Sequence, residues 1–238
     1  MANFELNKFG NPQALATTVV QEWLRALQAS GSVSGAYSVA LAGGRIAGTF
    51  FDAVSKLAQN QREALETVHF FWGDERCVPP DSAESNFALA RDQLLTPLSI
   101  PDSRIHRVHG ERPPELAATE AERALRGFAA ASHDGQPVLD LIFLGMGEDG
   151  HVASLFPGEP VETMTDKRVY RPVIGPKPPP KRITLGYAAI AAAREVWVLV
   201  SGHGKQEAFH DSLSETGTTP LARVLKLRRY TRVFTDLE

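Results

Sequence analysis

The chain has 238 residues, of which 43% are hydrophobic and 22% are charged, and its formal net charge at pH 7 is -3. This balance is typical of a globular protein and excludes a fibrous or intrinsically disordered chain. The mild negative charge disfavours a nucleic-acid partner, which usually binds to an excess of basic residues.

The first residues lack the basic and apolar regions of a secretory leader, and no stretch approaches the roughly 18 consecutive apolar residues of a membrane span. We therefore predict a cytoplasmic protein with neither a membrane nor a nucleic-acid partner. Cys77 is the single cysteine, so the chain cannot form an intrachain disulfide or a cysteine-based metal cage. The length fits one domain over residues 1–238. We expect a monomer, although the sequence does not fix the oligomeric state.

Taken in chain order, the pattern alternates between helices and buried strands. An amphipathic helix opens after Asn11-Pro12, and apolar runs that each end in a turn predict strands at Tyr37–Ala42, Val68–Trp72, Leu139–Leu144 and Val196–Val200. Helical spacing predicts further helices at 46–57, 87–95, 116–128, 205–213 and 221–225. Apolar runs without alternation are typical of strands covered on both faces. The sequence therefore predicts an α/β fold: a single-domain, largely parallel open sheet flanked by helices, of a modified Rossmann-like type.

Polar residues in the turns after these strands are the candidates for function, because ligands of such sheets bind outside the carboxyl ends of the strands. The richest turn, residues 145–158, combines glycines with Glu148, Asp149 and His151. A dinucleotide-binding turn requires a helix directly after the glycines, and Pro157-Gly158 leaves little room for one. Two interpretations stay open. His151 is a structural, hydrogen-bonded residue, or it is a general base oriented by Asp149.

Three other segments carry charge near strand ends. A turn at residues 73–79 presents two acids with Arg76, and alone it would be interpreted as a solvated charged turn. In the second, main-chain N–H groups of Gly43 and Gly44, followed by Arg45, could hold a phosphate at a helix start. The third is a proline-rich segment, residues 175–181, predicted to be an extended loop within the domain; its end, with Lys181 and Arg182, would alone be interpreted as a solvated basic loop.

The run Gly-x-Gly-x-Asp-Gly-His-x-Ala-Ser-Leu-Phe-Pro-Gly at residues 145–158 resembles the signature of the 6-phosphogluconolactonase family. Further similarities are Gly-Asp-Glu-Arg at 73–76 with a downstream Ser-Asn pair, Pro-Pro-x-Arg-Ile-Thr-Leu at 179–185, and short matches at 202–205 and 219–222. The related glucosamine-6-phosphate deaminases share Asp-Gly-His but continue differently. One segment departs from the family pattern, because Ala42, Ile46 and Ala47 replace a serine, a threonine and a proline beside the glycines.

The resemblance implies hydrolysis of a phosphorylated sugar lactone, a small-molecule substrate. It implies that His151, with Asp149, transfers the proton and that Arg76 contacts the substrate. It also implies substrate or phosphate binding by a second group of residues: Gly43, Gly44, Arg45, Asn86, Lys181 and Arg182. No cofactor and no metal is expected, since the histidine and acidic residues lack a usual ligand spacing.

The sequence also bears on other mechanisms and functions. A covalent serine route is disfavoured because the chain has no Gly-x-Ser-x-Gly turn, and Cys77 is expected to be an inert, partly buried thiol. Two alternative functions remain: an isomerase or deaminase that acts on an amino-sugar phosphate, and a sugar-phosphate-binding protein without turnover. The second is motivated by the altered segment at 42–47.

Overall fold

Six parallel strands form the central sheet of the computed structural model, which describes residues 3–30, 35–130, 132 and 134–238. In chain order the nine strands of both sheets are β1 Phe4–Lys8, β2 Tyr37–Leu41, β3 Val68–Trp72, β4 Asp74–Arg76, β5 Leu141–Gly145, β6 Tyr170–Ile174, β7 Lys181–Leu185, β8 Glu195–Val200 and β9 Thr231–Thr235. The order across the large sheet is β1-β9-β8-β5-β2-β3, and every neighbouring pair in it is parallel. The predicted parallel sheet is therefore confirmed.

In the described ranges, seven α-helices pack around this sheet: α1 Pro12–Ser30, α2 Arg45–Ala58, α3 Asn86–Ala90, α4 Pro114–Phe128, α5 Tyr187–Ala192, α6 Gln206–Leu213 and α7 Pro220–Leu227. The first two contact each other, and Trp23 and Phe50 from them meet Phe143 of β5 at ring-centroid distances of 5.4 and 4.6 Å. These rings are fully or almost fully buried. The helix predicted at 87–95 is two pieces, because α3 continues as a wider, π-helical turn over Arg91–Leu95.

A second, three-stranded antiparallel sheet, with the order β4-β7-β6, was not predicted. Only Gly73 separates β3 from β4, and its carbonyl accepts a hydrogen bond from Leu185 N at 2.8 Å, so the small sheet adjoins the carboxyl end of β3. Arg182 lies opposite Arg76 in the β4-β7 register. The small sheet therefore carries distant charged residues to the rim of the large one.

The order of the large sheet also determines where a ligand can enter. From β2 the chain proceeds to β3 on one side of β2, whereas the later strands β5, β8 and β9 are added on the other side. The order in which strands are added therefore reverses between β2 and β5, and this is the topological switch point of the sheet. In open α/β sheets ligands bind at such a switch point. The turns there are close, since a Cβ on Gly145 would lie 3.5 Å from the carbonyl oxygen of Gly43. Among the described residues, no helix has the length and apolarity needed to cross a membrane.

Candidate active site

A cavity of about 270 Å³ opens at the carboxyl ends of the four strands β8, β5, β2 and β3. Its walls come from the turns after those strands and from the small sheet. The residues that line it are Ala42, Gly43, Gly44, Arg45, Ile46, Asp74, Arg76, Asn86, Gly145, Met146, Gly147, Glu148, His151, Ala153, Lys177, Arg182 and Lys205. It is thus a polar cavity that brings together residues from distant parts of the chain.

His151 and Asp149 form a hydrogen-bonded pair at this cavity. The distance from His151 Nδ1 to Asp149 Oδ1 is 2.5 Å, and the side chains are 21% and 31% exposed. No described residue provides a hydrogen-bond partner for Nε2. Burial would raise the pKa of Asp149, but the hydrogen bond and the charge of His151 outweigh it and lower that pKa below its usual value. An ionised Asp149 favours the tautomer with its proton on Nδ1 and the lone pair on Nε2.

Glycines make room for this pair. A Cβ on Gly147 would lie 2.0 Å from the ring of His151, so no other residue could stand there without moving the imidazole. Gly150 has a φ of 79°, and a Cβ at this position would clash with the side chain of Thr219, which caps α7. No helix follows this turn directly, so the feature required for a dinucleotide-binding turn is absent from the described residues 146–160.

The charged residues after β3 form the short strand β4, and Glu75 among them is buried and has a structural role. Glu75 is 2% exposed, and its carboxylate accepts hydrogen bonds from Ser85 Oγ and from the main-chain N–H groups of Arg76, Asn86 and Phe87. Burial raises the pKa of Glu75, and these N–H donors partly oppose the increase. The carboxylate therefore fixes the start of α3, and with it Asn86, against β4.

Asp74 and Ser154 connect the small sheet to the histidine turn. Ser154 Oγ donates to Asp74 Oδ2 at 2.6 Å, and Asn86 Nδ2 donates to Asp74 Oδ1 at 3.2 Å and to its carbonyl at 2.9 Å. All three residues are buried. Asn86 was predicted to bind substrate; it does line the cavity, but its amide nitrogen is already bound to Asp74. Sequence reasoning assigned no role to Asp74 or Ser154.

Two arginines face each other on the small sheet. Arg76 Nη1 donates to the carbonyl of Glu84 at 2.6 Å, and Arg182 Nε donates to the carbonyl of Pro179 at 3.0 Å. Arg182 also lies over the ring of Phe156, 5.5 Å from its centroid, and that ring is 4.9 Å from the ring of His151. Burial, followed by repulsion from Arg76, lowers the pKa of Arg182. An arginine remains charged nonetheless, so this wall of the cavity is cationic.

The opposite wall has a second pair of cations. Arg45, the first residue of α2, is 83% exposed and forms an ion pair with Glu148 at 3.2 Å. Lys205 is 7% exposed and follows a turn that Asp236 holds by accepting hydrogen bonds from Ser201 Oγ and Gly202 N. Burial, then repulsion from Arg45, lowers the pKa of Lys205, whereas attraction by Glu148 raises it. A buried lysine beside an arginine is a favourable position for an anion.

Most residues predicted for the site lie together at this cavity, and one, Lys181, does not line it. Gly43, Gly44, Arg45, Arg76, Asn86, His151 and Arg182 line it, and Asp149 lies behind His151. Lys181 does not line it, because its side chain is exposed at the start of β7 while that of the next residue points inward. Two lysines that sequence reasoning missed line the cavity instead, Lys177 and Lys205.

Metal binding and thiol chemistry have little support in the described part of the chain. It contains no group of three or more His, Cys, Asp or Glu side chains arranged to hold a metal ion. Burial, followed by the charge of Glu75, raises the pKa of the half-buried Cys77 thiol. A raised pKa disfavours the thiolate, which is the reactive form.

Fold and site together define a class: parallel α/β proteins that have a hydrogen-bonded histidine–aspartate pair beside a cation-lined cavity at the switch point of the sheet. The family model described as glucosamine-6-phosphate isomerases/6-phosphogluconolactonase matches residues 10–233. The chain therefore belongs to that family.

Named relatives and solved structures agree with this assignment. The chain is 40% identical over 215 residues to a probable chloroplastic 6-phosphogluconolactonase 3 of Oryza sativa, covering 85% of this chain and 64% of that protein. It is 43% identical over 155 residues to a 6-phosphogluconolactonase of Mycobacterium tuberculosis, covering 63% of each. The chain thus spans less than two thirds of the length of these relatives.

The structural similarity extends over the whole chain. The 6-phosphogluconolactonase structure of Trypanosoma brucei has a TM-score of 0.82 at 29% identity, covering 99% of this chain and 96% of that one. A monomeric glucosamine-6-phosphate deaminase has a TM-score of 0.78 at 18% identity, which shows a shared fold alone.

Proposed function

We propose that this chain hydrolyses 6-phospho-D-glucono-1,5-lactone to 6-phospho-D-gluconate, a step of the oxidative pentose phosphate pathway, without a metal ion. The observation that carries the proposal is the contact of 2.5 Å between His151 Nδ1 and Asp149 Oδ1 in a cavity lined by arginines and lysines. It gives a base and an anion-binding surface in one place. The names of the relatives support the same substrate.

In the proposed mechanism His151 transfers one proton twice. Neutral His151 Nε2 removes a proton from water as the water oxygen bonds to C1 of the lactone, and the carbonyl oxygen becomes an oxyanion. When the tetrahedral intermediate collapses, the bond from C1 to the ring oxygen breaks and the imidazolium returns its proton to that oxygen. Asp149 stabilises the imidazolium between the two transfers. Arg76 steadies the negative charge on the oxyanion.

The phosphate is held away from the reacting carbon. We assign it to Arg45, Lys205 and Arg182, together with main-chain N–H groups where α2 begins after Gly44. Binding energy at the phosphate then orients C1 towards His151, which is how a distant group of the substrate contributes to turnover. The hydrogen bonds that Asp74 accepts help to fix the position of the histidine turn relative to the small sheet.

The test is acid release from the phosphorylated lactone, measured against spontaneous hydrolysis. His151→Ala should lower kcat by about 10²-fold or more, the usual contribution of acid–base catalysis, and leave the affinity for 6-phosphogluconate nearly unchanged. His210→Ala is the matched control, because His210 is an exposed histidine on α6 that does not line the cavity. Full activity of His151→Ala would refute the mechanism. Ammonia release from glucosamine 6-phosphate, without lactone hydrolysis, would favour the deaminase alternative.

A further inference from the structure

Glu148 and the buried Asp74 are the two acidic residues that line this cavity, among two arginine–lysine walls of positive charge, and Glu148 is the exposed one of the two. It stands between Gly147 and Asp149 in the histidine turn and lines the cavity, and its side chain is 54% exposed. The mechanism above does not use it. A carboxylate in this position would repel a phosphate group, so its presence requires an explanation.

The contacts of Glu148 show with which cations it interacts. Its Oε1 atom lies 3.2 Å from Arg45 Nη2, and no other described side chain forms an ion pair with Arg45. A Cβ built on Gly204 would lie 3.4 Å from the same oxygen, so the carboxylate rests against the turn that carries Lys205. Glu148 also interacts electrostatically with Lys205. One carboxylate therefore interacts with both cations of this wall, Arg45 and Lys205.

We propose that Glu148 is an internal competitor for the phosphate subsite: its carboxylate neutralises Arg45 and Lys205 in the free protein and must move aside when a sugar phosphate binds. This inference rests on the proposed function, since it assumes that these two cations hold the phosphate. It assigns to Glu148 a control of affinity and does not make it a catalytic residue.

The exposure of the pair makes such an exchange inexpensive. Arg45 is 83% exposed, and an ion pair between exposed side chains contributes little to stability. Glu148 can therefore turn into solvent, while a phosphate with more charge and three acceptor oxygens takes its place. The product carries the same phosphate as the substrate, so the returning carboxylate weakens product binding as well and favours product release.

The inference predicts the effect of Glu148→Gln, which keeps the size of the side chain and removes its charge. The dissociation constant of 6-phosphogluconate, measured by calorimetry, should fall by about two- to tenfold, the range for one exposed ion pair and one relieved repulsion. KM for the lactone should fall similarly without an increase in kcat, because substrate and transition state carry the same phosphate. Gluconate, which has no phosphate, should bind both proteins equally.

Glu162→Gln is the matched control, since Glu162 is an exposed glutamate outside the cavity and its substitution changes the net charge equally. It should leave the dissociation constant unchanged. Unchanged or weaker phosphogluconate binding by Glu148→Gln, with normal binding by the unsubstituted protein, would overturn the inference alone; the weaker binding would mean that Glu148 positions Arg45 for the phosphate. Absence of binding and turnover in the unsubstituted protein would instead refute the proposed function.

Discussion

Asp149→Asn tests whether the carboxylate, and not merely the imidazole, is needed for turnover. The substitution keeps the shape of the side chain but removes the charge 2.5 Å from His151 Nδ1. A hydrogen bond to a charged group contributes about 1.5–3 kcal/mol and a neutral one about 1 kcal/mol. The difference of about 0.5–2 kcal/mol applies while the asparagine oxygen still accepts from Nδ1; if its amide nitrogen faces the ring, the wrong tautomer forms and the loss is larger.

Each 1.36 kcal/mol in the barrier corresponds to a factor of ten in rate. We therefore expect kcat to fall by about 2- to 30-fold, and by more if the wrong tautomer forms, with KM nearly unchanged because Asp149 does not line the cavity. Both quantities come from initial rates of acid release.

Asp166→Asn provides a structurally matched control. Asp166 Oδ1 accepts a hydrogen bond from the main-chain N–H of Arg168, two residues later, just as Asp149 Oδ1 accepts from that of His151. Asp166 lies in a loop that does not line the cavity. A kcat within twofold of the original for Asp149→Asn, or an equal loss for Asp166→Asn, would refute the role of Asp149 in catalysis.

Two further predictions concern stability. Arg228 is 6% exposed, and burial lowers the pKa of its guanidinium to about 10. The guanidinium donates to four carbonyls around the end of α5, so Arg228→Ala should cost about 3 kcal/mol and lower Tm by about 6–12 °C, with kcat per folded molecule unchanged. An unaltered Tm in calorimetry would contradict this. His69 and His106 share a hydrogen bond of 2.9 Å, and burial lowers the pKa of each below the ordinary value of 6.5. These two histidines therefore bind protons more readily in the unfolded chain than in the folded protein. Their contribution to the free energy of unfolding is complete above about pH 6.5 and is lost as the pH falls through their folded-state pKa values. In His106→Phe, the free energy of unfolding in urea should therefore depend less on pH between pH 7.5 and 5. An unchanged pH dependence would refute the assignment.

The strands that the sequence predicted are those buried on both faces. Long apolar runs identify β2, β3, β5 and β8 because nothing else in a globular chain requires them. The missed strands β1, β4, β6 and β9 are short or contain charged residues, such as Asp74–Arg76 in β4. Their pairing depends on partners far along the chain, and neither composition nor periodicity records those partners.

The same contrast explains which site residues were predictable. His151 and Asp149 lie two residues apart on one turn, so a local motif contains both members of the pair. Lys181 and Arg182 look equivalent in the sequence, but successive side chains of a strand point to opposite faces, and only Arg182 lines the cavity. Lys205 enters the cavity through the turn held by Asp236 near the other end of the chain. That interaction between distant residues has no local signal.

Under the proposed function, the altered turn at residues 42–47 changes the basis of phosphate binding without removing it. Ala42 and Ile46 line the cavity where the family pattern has hydroxyl side chains, so a few neutral hydrogen bonds of about 1 kcal/mol each are lost. The main-chain N–H groups at the start of α2 do not depend on side-chain identity, and the hydrogen bonds that begin this helix come from Ala47 N and Gly48 N to the carbonyl of Gly44. Arg45 N and Ile46 N precede them and remain suitable donors for an anion. With the hydroxyls gone, charge from Arg45, Lys205 and Arg182 supplies a larger share of the affinity, which is the condition under which a single carboxylate such as Glu148 can control it.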